Sequence, residues 1–138
     1  MTQGADGMNG TPPLLRTVDV EREYALAGEP VRAVRGVTLT IHDGEYVAIV
    51  GPSGCGKSSL LNLLGAIDRP TRGHVALRGR DVSHMSDREA TDFRLRHIGF
   101  VFQRFYLMPM LTALENVELP MAEAGVAKRV RRARALEL

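Results

Sequence analysis

The glycine-rich segment at residues 51–58, Gly-Pro-Ser-Gly-Cys-Gly-Lys-Ser, constrains the fold of this chain more than any other feature. It matches every fixed position of the P-loop pattern, G-x-x-x-x-G-K-S/T. A β-branched and apolar run at 46–50 precedes it, and leucines at helical spacing follow it as far as Gly65. The run predicts a strand buried on both faces of a parallel sheet, and Gly65 predicts a left-handed end to the helix. This order of strand, loop and helix predicts an α/β fold.

Each residue type in the loop suits the binding of a polyphosphate. Glycine lets the backbone amides approach phosphate oxygens closely, and the helix that follows directs its free amides and positive dipole end at them. Lys57 adds a positive charge for the β and γ phosphates, the Ser58 hydroxyl can ligate Mg²⁺, and Ser59 can reach the α phosphate. The loop therefore predicts a Mg-nucleoside triphosphate as its ligand. The predicted nucleotide-binding residues of the loop are Gly51, Pro52, Ser53, Gly54, Cys55, Gly56, Lys57, Ser58 and Ser59.

Further strands and helices are predicted along the rest of the chain. Apolar residues alternate with threonines at 37–41, and the Asp43-Gly44 pair that follows predicts an antiparallel hairpin. Two more strands are predicted, at 74–77 and at 98–102. Three more helices are predicted: one after a capping box at Ser86, one after a capping box at Thr112 that ends near Pro120, and an amphipathic one over 126–136.

Composition narrows the class of protein. Of the 138 residues, 44% are hydrophobic and 25% are charged, which predicts a globular protein. The apolar runs are far shorter than the roughly 20 residues of a membrane-spanning helix. A net charge of +2 does not call for a nucleic-acid partner.

The one cysteine, Cys55, cannot form an internal disulfide and fits a reducing compartment. Residues 1–13 are expected to form a flexible leader.

A P-loop alone does not distinguish between GTPases, nucleotide kinases and transport ATPases. A GTPase is disfavoured because a base-reading N/T-K-x-D motif is absent from the sequence. A kinase could use the arginines of 128–134 as a lid, although the same charges fit the solvated face of a helix.

Several landmarks outside the loop resemble the N-terminal part of an ABC transporter ATP-binding subunit. They are Tyr24, the segment 68–73 and the run Ile-Gly-Phe-Val-Phe-Gln at 98–103. The stretch 107–117 is similar to the lipoprotein-release and macrolide-export branch of that family. The resemblance covers residues 14–138, and it implies a P-loop NTPase core with a parallel sheet plus an antiparallel β layer.

The resemblance also implies roles for individual residues. Tyr24 would stack on the adenine ring. Gln103 would be the glutamine that contacts Mg²⁺ and the attacking water, so that Ser58 and Gln103 are the implied metal ligands. Lys57 and Gln103 are the implied catalytic residues, with ATP and Mg²⁺ as ligand and cofactor.

The implied partners are a transmembrane permease subunit and a second ATP-binding subunit, with no nucleic acid. The implied location is the cytoplasm, peripheral on the inner face of the cell membrane. The apolar residues of 105–119 are expected to face the permease, and the alternative is that they pack under a helical subdomain.

One departure from the family pattern bears on activity. No L-S-G-G-Q signature, no Walker B strand ending in Asp-Glu and no switch histidine follows the P-loop within these residues. We therefore expect a domain truncated before the signature motif and Walker B strand, which binds ATP as part of a transporter but does not turn it over alone. The alternatives are a non-catalytic truncated nucleotide-binding module and another P-loop enzyme such as a kinase.

Overall fold

A computed structural model of the chain describes residues 12–25 and 28–138. The leader predicted at 1–13 lies outside the described residues except for Pro12 and Pro13, which belong to no helix or strand. The chain divides into two compact units, Met1–Ser86 and Asp87–Leu138, and each is described by itself.

The first unit contains a four-stranded antiparallel sheet. Its strands are β1 (Leu15–Tyr24), β2 (Val31–Ile41), β3 (Arg72–Leu77) and β4 (Arg80–Asp81), in the spatial order β2-β1-β3-β4. Leu15 pairs with Ile41 of β2 and with Leu77 of β3, which makes β1 a central strand. The predicted strands at 37–41 and 74–77 and the antiparallel layer are therefore confirmed. The hairpin predicted at Asp43-Gly44 is wrong, because the strand before this turn pairs with β1 and no strand follows the turn at 46–50.

Buried residues of the first unit alternate along its strands, as expected for a sheet with one covered face. Val20, Val34 and Val75 are buried. The pairing of β1 with β2 shifts register between Thr17 and Val20. At this point the buried Thr17 hydroxyl donates to the Val37 carbonyl oxygen and accepts from the Leu39 amide, both at 2.9 Å. The side chain thus supplies backbone hydrogen bonds that the irregular ladder would otherwise lack.

Helix α1 (Lys57–Leu64) follows the P-loop and ends at Gly65, as predicted. The left-handed residue is Ala66 (φ 53°), whereas Gly65 has a φ of −85°, so the predicted conformation of Gly65 is wrong. The amides of Ala66 and Ile67 donate to the carbonyl oxygens of Leu63 and Asn62, at 3.1 and 2.8 Å. This is a Schellman cap, whose geometry requires the left-handed residue one position beyond the helix cap.

The two segments predicted as strands of a parallel sheet, 46–50 and 98–102, are not strands in the structure. Each is largely exposed: Tyr46 is 97% exposed, and Val101 is fully exposed. Neither segment pairs with a neighbouring strand among the described residues. A strand that is covered on both faces needs partners to satisfy its backbone, and apolar composition does not supply them.

The second unit is helical, with α2 (Asp87–His97), α3 (Ala113–Glu123) and α4 (Lys128–Glu137). The capping box at Thr112 is confirmed, because its hydroxyl accepts from the Glu115 amide and the Glu115 carboxylate accepts from the Thr112 amide. Pro120 lies inside α3 and does not end it, contrary to the prediction. A proline lacks only the amide donor, and the Pro120 carbonyl oxygen still accepts from the Ala124 amide at 3.1 Å, so the last turn of the helix forms beyond it. The Arg131 Nε of α4 donates to the buried Glu118 carboxylate of α3 at 3.1 Å.

Candidate functional site

A cavity of about 940 Å³ lies in the first unit, beside the P-loop. It is bounded by the first part of β2, by the end of the apolar run and by the P-loop with the first turn of α1. The lining residues are 31–35, 37, 49–50 and 53–60. Seven of the nine loop residues predicted to bind nucleotide, 53–59, therefore face one cavity.

Close packing against β2 explains the glycine at position 56. Gly56 has a φ of 90°, in the left-handed region, and it is the N-cap residue immediately before α1. A Cβ atom at this position would collide with the Ala33 carbonyl oxygen of β2. Glycine thus serves two needs here, the backbone conformation of the loop and its contact with the neighbouring strand.

The first turn of α1 has amides that no side chain caps. Gly56 has no side chain to accept from them, and no acidic residue lies in the first turn. The first N–H groups of a helix have no partner within the helix, and they carry the positive end of its dipole. This helix end is thus suited to bind an anion close to the amides of residues 57–59.

The Lys57 side chain folds back over the loop. Its Nζ donates to the carbonyl oxygens of Gly51 at 2.9 Å and Pro52 at 2.6 Å, and lies 3.6 Å from the Cys55 Sγ. Gly51 and Pro52 do not line the cavity, and their part in the site is to hold this ammonium. A phosphate could replace these neutral acceptors with a charge-assisted hydrogen bond, which is the stronger kind.

Tyr24 lies at the end of β1 and is held on two sides. Its hydroxyl donates to the Asp68 Oδ2 at 2.9 Å, and the Arg22 guanidinium lies 4.5 Å from the centre of its ring. Arg22 also forms an ion pair with Asp68 at 2.8 Å. Tyr24 is not among the described residues that line the cavity. The sequence analysis did not identify Arg22. Its position two residues before Tyr24 on a strand places both side chains on the same face, and this spacing could have indicated it.

Gln103 belongs to the second unit and lies in an exposed segment, 98–106, without helix or strand. Its contacts with Mg²⁺ and water stay a prediction. The neighbouring aromatic rings contact one another: Phe100 stacks on Phe102 with centroids 5.5 Å apart, and Phe102 meets Tyr106 edge to face at 5.1 Å.

The apolar segment after Gln103 is organised by one polar side chain. The Asn116 side chain accepts from the Met108 amide at 2.8 Å and donates to the carbonyl oxygens of Met108, Leu111 and Thr112. The segment between the aromatic rings and α3 therefore has a defined path, while Phe105 and Met110 remain exposed. Within the part of the chain that the structure describes, no helix has the length and apolar character needed to cross a membrane.

Comparisons with known proteins identify the family and the fold. The family described as ABC transporter matches residues 34–138. An uncharacterized ABC transporter ATP-binding protein of Thermotoga maritima is 54% identical over 125 residues, which are 91% of this chain and 53% of that protein. The macrolide export ATP-binding/permease protein MacB of Hyphomonas neptunium is 49% identical over 93% of this chain and 20% of that protein. The similarity to the macrolide-export branch is thus confirmed.

A solved structure extends the comparison to the fold. The ATP-binding cassette MJ0796, in a dimeric post-hydrolysis state bound to ADP and Pi, superposes with a TM-score of 0.83 and 44% sequence identity. The match covers 89% of this chain and 54% of that one, so this chain spans about half the length of that cassette and of the Thermotoga maritima relative. The predicted fold class, a P-loop core with an antiparallel β layer, is confirmed.

Proposed function

This chain belongs to the ABC transporter ATP-binding family, and from that premise we propose that it binds ATP with Mg²⁺ at the P-loop cavity, as the ATP-binding part of a transporter. The observation that carries the proposal is the uncapped start of α1 beside Lys57, whose ammonium has only the loop's own carbonyl oxygens and a thiol as partners among the described residues. Helix amides, dipole and ammonium together present positive charge to one cavity.

The triphosphate would lie along residues 53–59, which line the cavity. Lys57 would leave the Gly51 and Pro52 carbonyl oxygens and move to the phosphate oxygens, where the charge-assisted contact is stronger. Mg²⁺ prefers oxygen ligands and keeps several waters, so one protein hydroxyl and the phosphates suffice to hold it. The exposed Ser58 supplies that hydroxyl, and Gln103 would add an amide oxygen.

Adenine would stack on Tyr24. The Arg22 guanidinium occupies one face of the ring, so the base would use the opposite face. The hydrogen bond to Asp68 holds the ring in one orientation, which lowers the entropic cost of ordering it when the base binds. Base stacking on an aromatic side chain contributes roughly 1–3 kcal/mol in nucleic-acid sites, and a similar gain is expected here.

A permease and a second ATP-binding subunit are the partners we propose. The relative from Hyphomonas neptunium is named an ATP-binding/permease protein, and the solved cassette is dimeric. In this chain, the exposed apolar side chains of 105–110 offer a surface for a permease. The domain would then work in the cytoplasm at the inner face of the membrane.

Steady hydrolysis would require groups beyond this cavity. None of the described residues that line it is acidic, so none of them can serve as a general base for water. General-base assistance typically contributes 10²–10⁴ in rate. We therefore propose that these 138 residues by themselves bind ATP without turning it over.

The kinase alternative loses support because Arg131 and Arg132 of its lid lie within 3.1 and 3.6 Å of the Glu118 carboxylate.

Calorimetric titration with MgATP tests the phosphate site. We expect Lys57→Ala to weaken binding tenfold or more, because hydrogen bonds to charged groups contribute roughly 1.5–3 kcal/mol. The chain has a matched control, since its other lysine, Lys128, lies at the start of α4 in the second unit. Lys128→Ala should bind MgATP like the unaltered chain. Equal affinities for both variants would refute the phosphate site.

The same titration with tripolyphosphate separates the role of the base from that of the phosphates. We expect Tyr24→Ala to weaken ATP binding and to leave tripolyphosphate binding unchanged. An equal loss for both ligands would show that Tyr24 supports the loop and does not stack on adenine.

A further inference from the structure

Three potential metal ligands meet on the hairpin formed by β3 and β4, apart from the residues that line the P-loop cavity. They are His74, Asp81 and His84, and one donor atom from each lies within 4.8 Å of the other two. The His74 Nδ1 is 3.2 Å from the Asp81 Oδ2, and the imidazole rings of His74 and His84 meet edge to face with centroids 5.7 Å apart.

The hairpin register explains why these side chains converge. Ala76 pairs with Asp81 across the two strands, so their side chains lie on the same face of the hairpin. His74 is two residues before Ala76 and shares that face, because side chains alternate along a strand. The Val82 amide donates to the Val75 carbonyl oxygen at 2.9 Å and continues the pairing toward His84.

Buried hydrogen bonds hold the carboxylate in this orientation. The Ser83 amide donates to the Asp81 Oδ1 at 2.7 Å, which leaves the other oxygen, Oδ2, toward His74. Ser83 is itself buried, and its hydroxyl accepts from the Val75 amide at 2.7 Å. Ligating carboxylates in metal sites are commonly oriented by such hydrogen bonds.

Charge and access also suit a cation. An exposed aspartate is a carboxylate at neutral pH. The His74 and Asp81 side chains are 61% and 49% exposed, which leaves an ion free to enter and to keep water ligands.

We propose that His74, Asp81 and His84 bind a divalent transition-metal ion of the zinc type. Two imidazoles and one carboxylate are ligands that Zn²⁺ accepts at about 2.0–2.2 Å, with water completing the coordination. Modest rotation of exposed side chains would bring the three donors to that distance. Mg²⁺ and Ca²⁺ select oxygen ligands instead, so this site would not compete for the Mg²⁺ that accompanies a nucleotide.

A plain ion pair between His74 and Asp81 is the competing explanation, and it makes a different prediction for His84. An exposed pair contributes little to stability and gives His84 no part. A metal site requires all three side chains. The role of His84 in ion binding therefore separates the two explanations.

Calorimetric titration of the tag-free full chain with ZnCl₂, without nucleotide, provides the test. We expect one equivalent of Zn²⁺ to bind, and His74→Ala and His84→Ala each to weaken its affinity tenfold or more. Excess MgCl₂ should not displace the ion. The other two of the four histidines, His42 and His97, are matched controls whose alanine variants should bind Zn²⁺ normally. Cys55→Ala excludes the thiol as the ligand.

Unchanged affinity in His84→Ala, or a loss confined to Cys55→Ala or to a control histidine, would overturn the proposal. An NMR titration of the unaltered chain covers the case of a variant that fails to fold. Zn²⁺ should then shift the imidazole C2–H resonances of two of the four histidines, and assignment of those two to His74 and His84 would support the site. Shifts of other histidines, or none, would overturn it.

Discussion

β2 and the run at 46–50 both lie in the first unit and both carry apolar residues, but of the two only β2 has a strand partner among the described residues. β2 pairs with β1 along most of its length, and its Val34 is buried. The run at 46–50 is more continuously apolar, yet Val50 is 86% exposed and the run has no strand partner among the described residues. Apolar composition makes a segment suitable for a strand. The segment forms a strand only when a neighbouring strand completes its backbone hydrogen bonds.

Hydrogen exchange gives the largest expected contrast between the paired sheet, represented by its central strand β1, and the run at 46–50. Amides of β1, which pairs on both sides, should exchange only through major opening of the unit, with protection on the order of 10³ or more. Amides of 46–50 should exchange within seconds, because no ladder bonds protect them. Mass spectrometry after pulsed labelling would measure both. Equal protection in the two segments would break the comparison and mean that 46–50 pairs in solution.

A matched pair of substitutions sharpens the comparison through stability. Val20 in β1 is fully buried, whereas Val50 is mostly exposed. We expect Val20→Ala to lower the free energy of unfolding by about 2 kcal/mol, from lost burial and a residual cavity. We expect Val50→Ala to change it by about 0.5 kcal/mol or less. Urea unfolding of both variants is the measurement, and similar losses would contradict the exposed placement of Val50.

The capping box of α3 should show a smaller effect, because its stabilisation is local and needs no distant partner. Thr112→Ala removes the hydroxyl that accepts from the Glu115 amide. We expect a loss of about 1 kcal/mol, as for other N-caps. Thr91→Ala is the control, since this exposed threonine lies within α2. If the two variants were equally stable, the cap would have no energetic role.

The same box predicts a pH dependence with a definite sign. Hydrogen bonds from the backbone amide and the hydroxyl of Thr112 lower the pKa of Glu115 below its ordinary value of 4.5. The folded chain thus favours the ionised carboxylate. The contribution of the ionised Glu115 carboxylate to the free energy of unfolding is complete above pH 4.5. It is lost as the pH falls through the lower pKa that this group has in the folded state. The stability advantage of the unaltered chain over Glu115→Gln should shrink on acidification in this range, and a constant difference would contradict it.

Sequence patterns succeeded in this chain where the relevant interactions are local. These interactions join residues within a few positions of one another, as in the P-loop, the end of α1 at Leu64 and the Thr112 capping box. The prediction that α3 ends near Pro120 was wrong, since the helix continues to Glu123. The contact of Tyr24 with Asp68 spans 44 residues and has no local signature.

The sequence by itself determined the glycine-rich loop, its lysine and the helix behind it, because the conformation of such a loop depends on which positions lack a Cβ. Tertiary structure alone decided which segments pair. It placed Ala33 against Gly56, brought Asp68 to Tyr24, gathered His74, Asp81 and His84 on one hairpin, and left 46–50 and 98–102 without strand partners among the described residues. The physical reason is that a β-strand completes its hydrogen bonds on another part of the chain, which no local pattern specifies.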